Sequence, residues 1–221
     1  YTVSYRNLMS VLRRSAADRS STDDVPAPES EDGTSDASRA LIRMLFSCCH
    51  VSIPIESRTV FALKTLCGFS VPEIAQRLFL SEENVYKRWN RARQQLQQLG
   101  ELRDTVHTTL PDPRLDAVLH VLYLLFTEGY LSLHPDHAIR AELCDEAIRL
   151  TALLADDPAG RSPETCALMA LQYFHRARMD ARQDHDGRLM LLEEQDRSSW
   201  DRQYIETGFT WLARSAEGPE F

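Results

Sequence analysis

The sequence predicts an all-α protein, and three observations carry that reading. Apolar residues recur three and four positions apart along most of the chain, which gathers them on single helix faces. Helix-opening signals precede several of these stretches: Ser70 stands three residues before Glu73 with Pro72 between them, and Ser162 stands directly before Pro163. No alternating apolar and polar run of useful length marks a strand.

The elements follow in order. Tyr1, Tyr5, Leu8 and Leu12 share one helical face, with Arg6, Asn7, Arg13 and Arg14 outside it, so residues 1–14 are expected to form an amphipathic helix. Residues 15–37 are polar, acidic and interrupted by Pro26, Pro28 and Gly33, and are expected to be a flexible linker because they bury too little apolar surface to offset chain entropy. Next come a helix with Leu41, Leu45 and Cys48 inward, a break near Pro54, and a helix with Val60, Leu63 and Cys67 inward that stops at Gly68.

Ser70 then opens a short helix whose inner face is Ile74, Ala75 and Leu78, and Ser81 caps another in which Val85, Trp89, Ala92 and Leu96 form one apolar stripe. Two short helices so closely joined read as a helix-turn-helix, and residues 38–99 as a four-helix DNA-binding domain. The outer face of the second helix carries Asn84, Lys87, Arg88 and Arg91, flanked by Arg93, with Ser81 and Glu83 at its start. Cations grip phosphates, and amide and guanidinium groups reach purine edges, whereas a carboxylate such as Glu83 only accepts, for example from a cytosine amino group.

After Pro111-Asp-Pro113 the helical period resumes, and residues 100–221 are expected to form a second helical domain. One stripe is Leu115, Val118, Leu119, Leu122, Leu125 and Phe126. Another is Ile139, Leu143, Cys144, Ala147, Leu150, Thr151 and Leu154. A third, behind Ser162-Pro163, is Cys166, Met169, Ala170, Tyr173 and Ala177. A turn at residues 184–187 leads to Leu189-Met-Leu-Leu192, too short to assign, and Trp200, Tyr204 and Leu212 mark a last helix.

Charge sharpens the division. The chain of 221 residues carries −8 overall, which excludes a generic nucleic-acid coat. Residues 39–99 hold nine Lys/Arg against four Asp/Glu, and residues 100–221 hold twelve against twenty-two, so the basic charge travels with the helix-turn-helix. Cys48, Cys49, Cys67, Cys144 and Cys166 lack the paired spacings of a zinc site or a disulfide framework, which implies no metal and a reduced, cytoplasmic setting. The apolar run ending Val121–Phe126 is too short for a bilayer, and no secretory signal is visible, so no membrane partner is expected. The absence of an initiator Met and the opening in mid-pattern at Tyr1 suggest a piece of a longer protein.

Glu128, Glu193, Glu194, Asp196 and Asp201 offer carboxylates, but no nucleophile with a neighbouring base, phosphate loop or metal spacing accompanies them. His120, His134, His137, His175 and His185 are scattered. No catalytic residue and no cofactor is therefore assigned, and the chain is not expected to be an enzyme.

These motifs, in this order, resemble the extracytoplasmic-function (ECF) sigma factors of bacterial RNA polymerase. Residues 70–75 and 85–96 resemble sigma region 4, residues 1–14 resemble the last helix of sigma region 2, and the polar stretch between them falls where these proteins carry a linker. Leu45–His50, Leu63–Ser70, Leu124–Tyr130 and Leu191–Asp201 are similar to the subgroup with a long helical C-terminal extension. The resemblance implies a sigma factor lacking most of region 2, with promoter DNA at the −35 element and core RNA polymerase as partners. It makes Arg6 and Asn7 the remnant of the −10 reader. The charge contrast between the two domains further suggests regulation, with the acidic C-terminal domain docking on region 4 within the chain or on polymerase and gating promoter access. Phe79 stands where many such turns have Gly, and Tyr86-Lys-Arg-Trp89 departs from close relatives, so promoter preference does not transfer. A helix-turn-helix regulator with a ligand-sensing C-terminal domain would look alike over residues 70–93, but explains neither residues 1–14 nor the stretch that follows.

Overall fold

The computed structural model describes residues 32–99, 112–133 and 137–217. The expected helix over 1–14, with Arg6 and Asn7, and residues 15–31 of the expected linker lie outside them. The chain divides into two compact units, Tyr1–His107 and Thr108–Phe221. The described residues are helical and form no strand, so the chain is all-α as its periodicity requires.

In the first unit α1 spans Asp32–Cys48, α2 Ile55–Thr65, α3 Val71–Arg77 and α4 Glu82–Leu99. Helix α1 starts inside the stretch expected to be linker, so residues 32–37 are a correction to that expectation. Once Ile42, Leu45 and Phe46 are buried, each further residue adds a backbone bond to an existing helix, and propagation is far easier than nucleation. The α1–α2 connection is stapled by Arg58, whose Nε donates to the Ile53 carbonyl and whose Nη2 donates to that of Val51, both at 2.8 Å. Pro54 precedes the first residue of α2, and past its end Gly68 takes φ +71°, the left-handed geometry that lets the chain turn back at little steric cost. Ile53, Val60, Leu63, Ile74, Val85 and Ala92 are fully enclosed and form the core.

In the second unit α5 spans Leu115–Tyr130, α6 Ala141–Asp156, α7 Pro163–Ala177 and α8 Arg202–Ala216, with short 3₁₀ turns at Met179–Arg182 and Arg197–Ser199. The α6 stripe from Leu143 to Leu154 is buried throughout, while Ile139 precedes the helix. Ser162 caps α7 by accepting from the Thr165 amide at 3.2 Å. Helix α8 stands where a last helix is expected, but is seated differently from its apolar pattern. Trp200 precedes it, Leu212 is exposed, and its one fully buried residue is Gly208, where an added Cβ would lie 2.7 Å from the Phe174 ring. Close approach of α8 to α7, rather than an apolar stripe sunk in the core, therefore seats this helix. No helix among the described residues is long and apolar enough to cross a membrane.

Candidate nucleic-acid interface

The site is built from the start of α3. Ser70 Oγ accepts from the Glu73 amide at 3.3 Å while Glu73 Oε2 accepts from the Ser70 amide at 2.7 Å, so each residue satisfies a donor the helix leaves free. Val71, Ile74 and Ala75 face inward. The turn is closed by the Leu80 amide donating to the Ala75 carbonyl at 2.8 Å. Between them Phe79 adopts φ +53°, a region that costs a residue with a Cβ about 1–2 kcal/mol, and the residue is 97% exposed.

Helix α4 leaves this turn with Ser81 Oγ accepting from the Asn84 amide at 3.3 Å. Its inner positions Val85, Ala92 and Leu96 are buried. Asn84, Lys87, Arg88 and Arg91 follow at i, i+3, i+4 and i+7, one stripe on the outer surface, and all but half-buried Arg88 are exposed. An 18-residue helix held by its inner face and offering a stripe of amide, ammonium and guanidinium groups suits insertion into a major groove.

Residues 43–96 match the family model described as Sigma-70, region 4. The first unit carries a sigma-70 region 4 domain. That match indicates a DNA-binding, sigma-factor-like role for residues 43–96. Residues 114–216 match a family of unknown function, DUF6596. An uncharacterized protein of Rhizobium meliloti (strain 1021) is 37% identical over 166 residues, which are 75% of this chain and 39% of that protein. The chain thus spans about two fifths of that relative's length. No solved structure matches.

Within region 4 the expected contact residues separate into different tasks. Ser81 is committed to its cap. Glu83 is paired with Lys87 at 2.6 Å, both largely exposed, so the pair adds little stability and is easily exchanged for a phosphate contact. Arg88 Nη1 donates to the backbone carbonyl of Glu56 at 3.3 Å and so braces α4 against α2. Arg93, two residues beyond Arg91, is exposed on the other flank of α4 and lies 5.6 Å over the Trp89 ring. Lys64 of α2 lies 5.5 Å over the same ring. Reading α4 alone misses Lys64, because only the packing of α2 on α4 brings it there. Tyr86 and Asn90, also exposed on α4, complete the surface around the stripe.

The cysteines of region 4 do not add chemistry to this surface. Cys48, Cys49 and Cys67 are buried, and burial together with the neighbouring thiols pushes Cys48 well above the ordinary thiol range. Among the described residues no group of three or more His, Cys, Asp and Glu side chains is placed to hold a metal ion.

Proposed function

We propose that the chain is part of an ECF-type sigma factor that directs RNA polymerase to promoters, with α4 of region 4 in the major groove of a −35 element. The single observation that supports this most is the i, i+3, i+4, i+7 stripe of Asn84, Lys87, Arg88 and Arg91, placed opposite the buried face of a helix whose start is fixed by a cap. Arg91 and Lys87 supply the charge, Asn84 and Arg88 the directional donors, and Glu83 the restriction toward bases that donate. Ser81 and Arg93 frame the stripe at the helix start and on its far flank. Arg6 and Asn7 belong to the −10 side of the same promoter by resemblance to region 2. The work is done in the cytoplasm with core RNA polymerase and promoter DNA as partners, without cofactor or catalysis, and the second unit modulates it through contact with region 4.

Run-off transcription by bacterial core polymerase on genomic promoter fragments, with the parent-length protein present or absent, tests the reading. Discrete transcripts that depend on the protein are expected. Duplex binding without any such transcript would overturn the sigma-factor reading in favour of a regulator that binds DNA on its own.

A further inference from the structure

The ends of α5 and α7 bring an unusual set of groups together in the second unit. Arg182 lies over the face of Tyr130, 3.5 Å from the ring centroid, and its Nη1 donates to the Tyr130 carbonyl. Arg178 lies 5.5 Å over the same ring and its Nη2 is 3.4 Å from Nδ1 of His175, whose own ring is 4.6 Å from that of Tyr130. The hydroxyl of Tyr130 is buried and has no hydrogen-bond partner.

Two guanidiniums carry ten N–H donors between them, and Arg182 is only 8% exposed. Buried charge is ordinarily balanced by an opposite charge. Arg176, nearby on α7, follows that rule with Asp145 at 2.7 Å and Asp180 at 3.7 Å. Among the described residues no carboxylate pairs with Arg178 or Arg182. The imbalance is felt by the imidazole: burial first, then Arg178 and Arg182, push His175 down to about 4, so the ring is neutral near neutral pH and adds no third charge. What remains is a concentration of positive charge and guanidinium donors beside an unpartnered phenol, at a residue that is itself partly open to solvent.

From this juxtaposition we infer that Tyr130, Arg178 and Arg182 form a binding site for a small molecule bearing a carboxylate or phosphate group. The planar donor edges of the guanidiniums suit either anion. The site lies within the second unit and gives it a chemical input of its own.

Titration of the full chain at constant ionic strength with inorganic phosphate, and separately with succinate, tests this through the His175 ring resonances, identified by their loss in His175→Gln. The expected result is a saturable shift with at least one of the two probes, and the probe that produces it decides between phosphate and carboxylate. Arg178→Gln touches only the two rings and should weaken that binding roughly tenfold, the loss of about one charge-assisted hydrogen bond. Arg188→Gln, in an exposed loop position, should leave it unchanged. No saturable shift with either probe, or equal binding by the Arg178→Gln protein, overturns the inference.

Discussion

Arg88 Nη1 and the backbone carbonyl of Glu56 are 3.3 Å apart, so a residue of the outer polar stripe also ties α4 to the first turn of α2. On the proposed reading, recognition and stability therefore overlap at this position and part at Arg91. Arg88→Ala is expected to weaken duplex binding and to cost about 0.5–1.5 kcal/mol of folding stability, the net worth of one hydrogen bond. Arg91→Ala should weaken binding with an unchanged urea midpoint. Matching midpoints for the two variants would show that the Arg88 bond contributes nothing to the fold.

The reciprocal bonds between Ser70 and Glu73 begin the helix that supports α4. Ser70→Ala should cost about 1 kcal/mol, and Glu73→Ala a similar or smaller amount. Because each bond helps hold the other in place, the double variant should lose less than the two single losses combined. Thermal unfolding of the four proteins checks this, and strict additivity would mean that the bonds act independently.

Phe79 spends backbone energy in the turn while its ring packs on almost nothing. Phe79→Gly relieves the left-handed strain, partly offset by the greater freedom that Gly gives the unfolded chain. A net gain of about 0.5–1 kcal/mol is expected in urea unfolding. Loss of stability instead would show that the phenyl ring makes a favourable contact.

What the sequence reveals here is local. The caps at Ser70, Ser81 and Ser162 and the stop at Gly68 are written in residues a few positions apart, and the buried stripe of α6 follows from its period alone. The stripe of Asn84, Lys87, Arg88 and Arg91 is legible for the same reason. The Arg88 brace and the Lys64 contact with Trp89 depend on α2 lying against α4, which no spacing within α4 encodes. Helix α8 is legible as a helix, but its seat is not, because that seat is Gly208 against Phe174, a contact made possible by a missing side chain. Arg178 and Arg182 look like ordinary polar residues until folding places both on Tyr130, 48 and 52 positions earlier in the chain.

Gly129 holds α5 close to the start of α6. A Cβ there would stand 2.7 Å from the Arg140 carbonyl oxygen, from the Cys144 amide and from Cys144 Sγ. Two of those three atoms are backbone and cannot swing aside, so the helices must separate. Gly129→Ala should cost about 1–3 kcal/mol, a typical overpacking penalty, despite the better helix propensity of Ala. Unfolding by urea checks it, and a neutral result would mean that the α5–α6 contact yields without loss.

His175 makes the second unit sensitive to acid. Its folded pKa is lowered to about 4 by burial and by Arg178 and Arg182, against 6.5 for the free side chain. Between those values the unfolded chain binds a proton that the folded chain refuses, so stability rises with pH across that window. The contribution is fully present above 6.5 and is lost as pH falls toward 4. The ring is only half-buried, and solvent screening reduces the full linkage energy to on the order of 1–2 kcal/mol. His175→Gln has no such proton to refuse. Its stability relative to the unaltered protein should therefore improve by that amount between about pH 7 and about pH 4.5, and urea midpoints whose difference stays constant over this range would show that His175 titrates alike in both states.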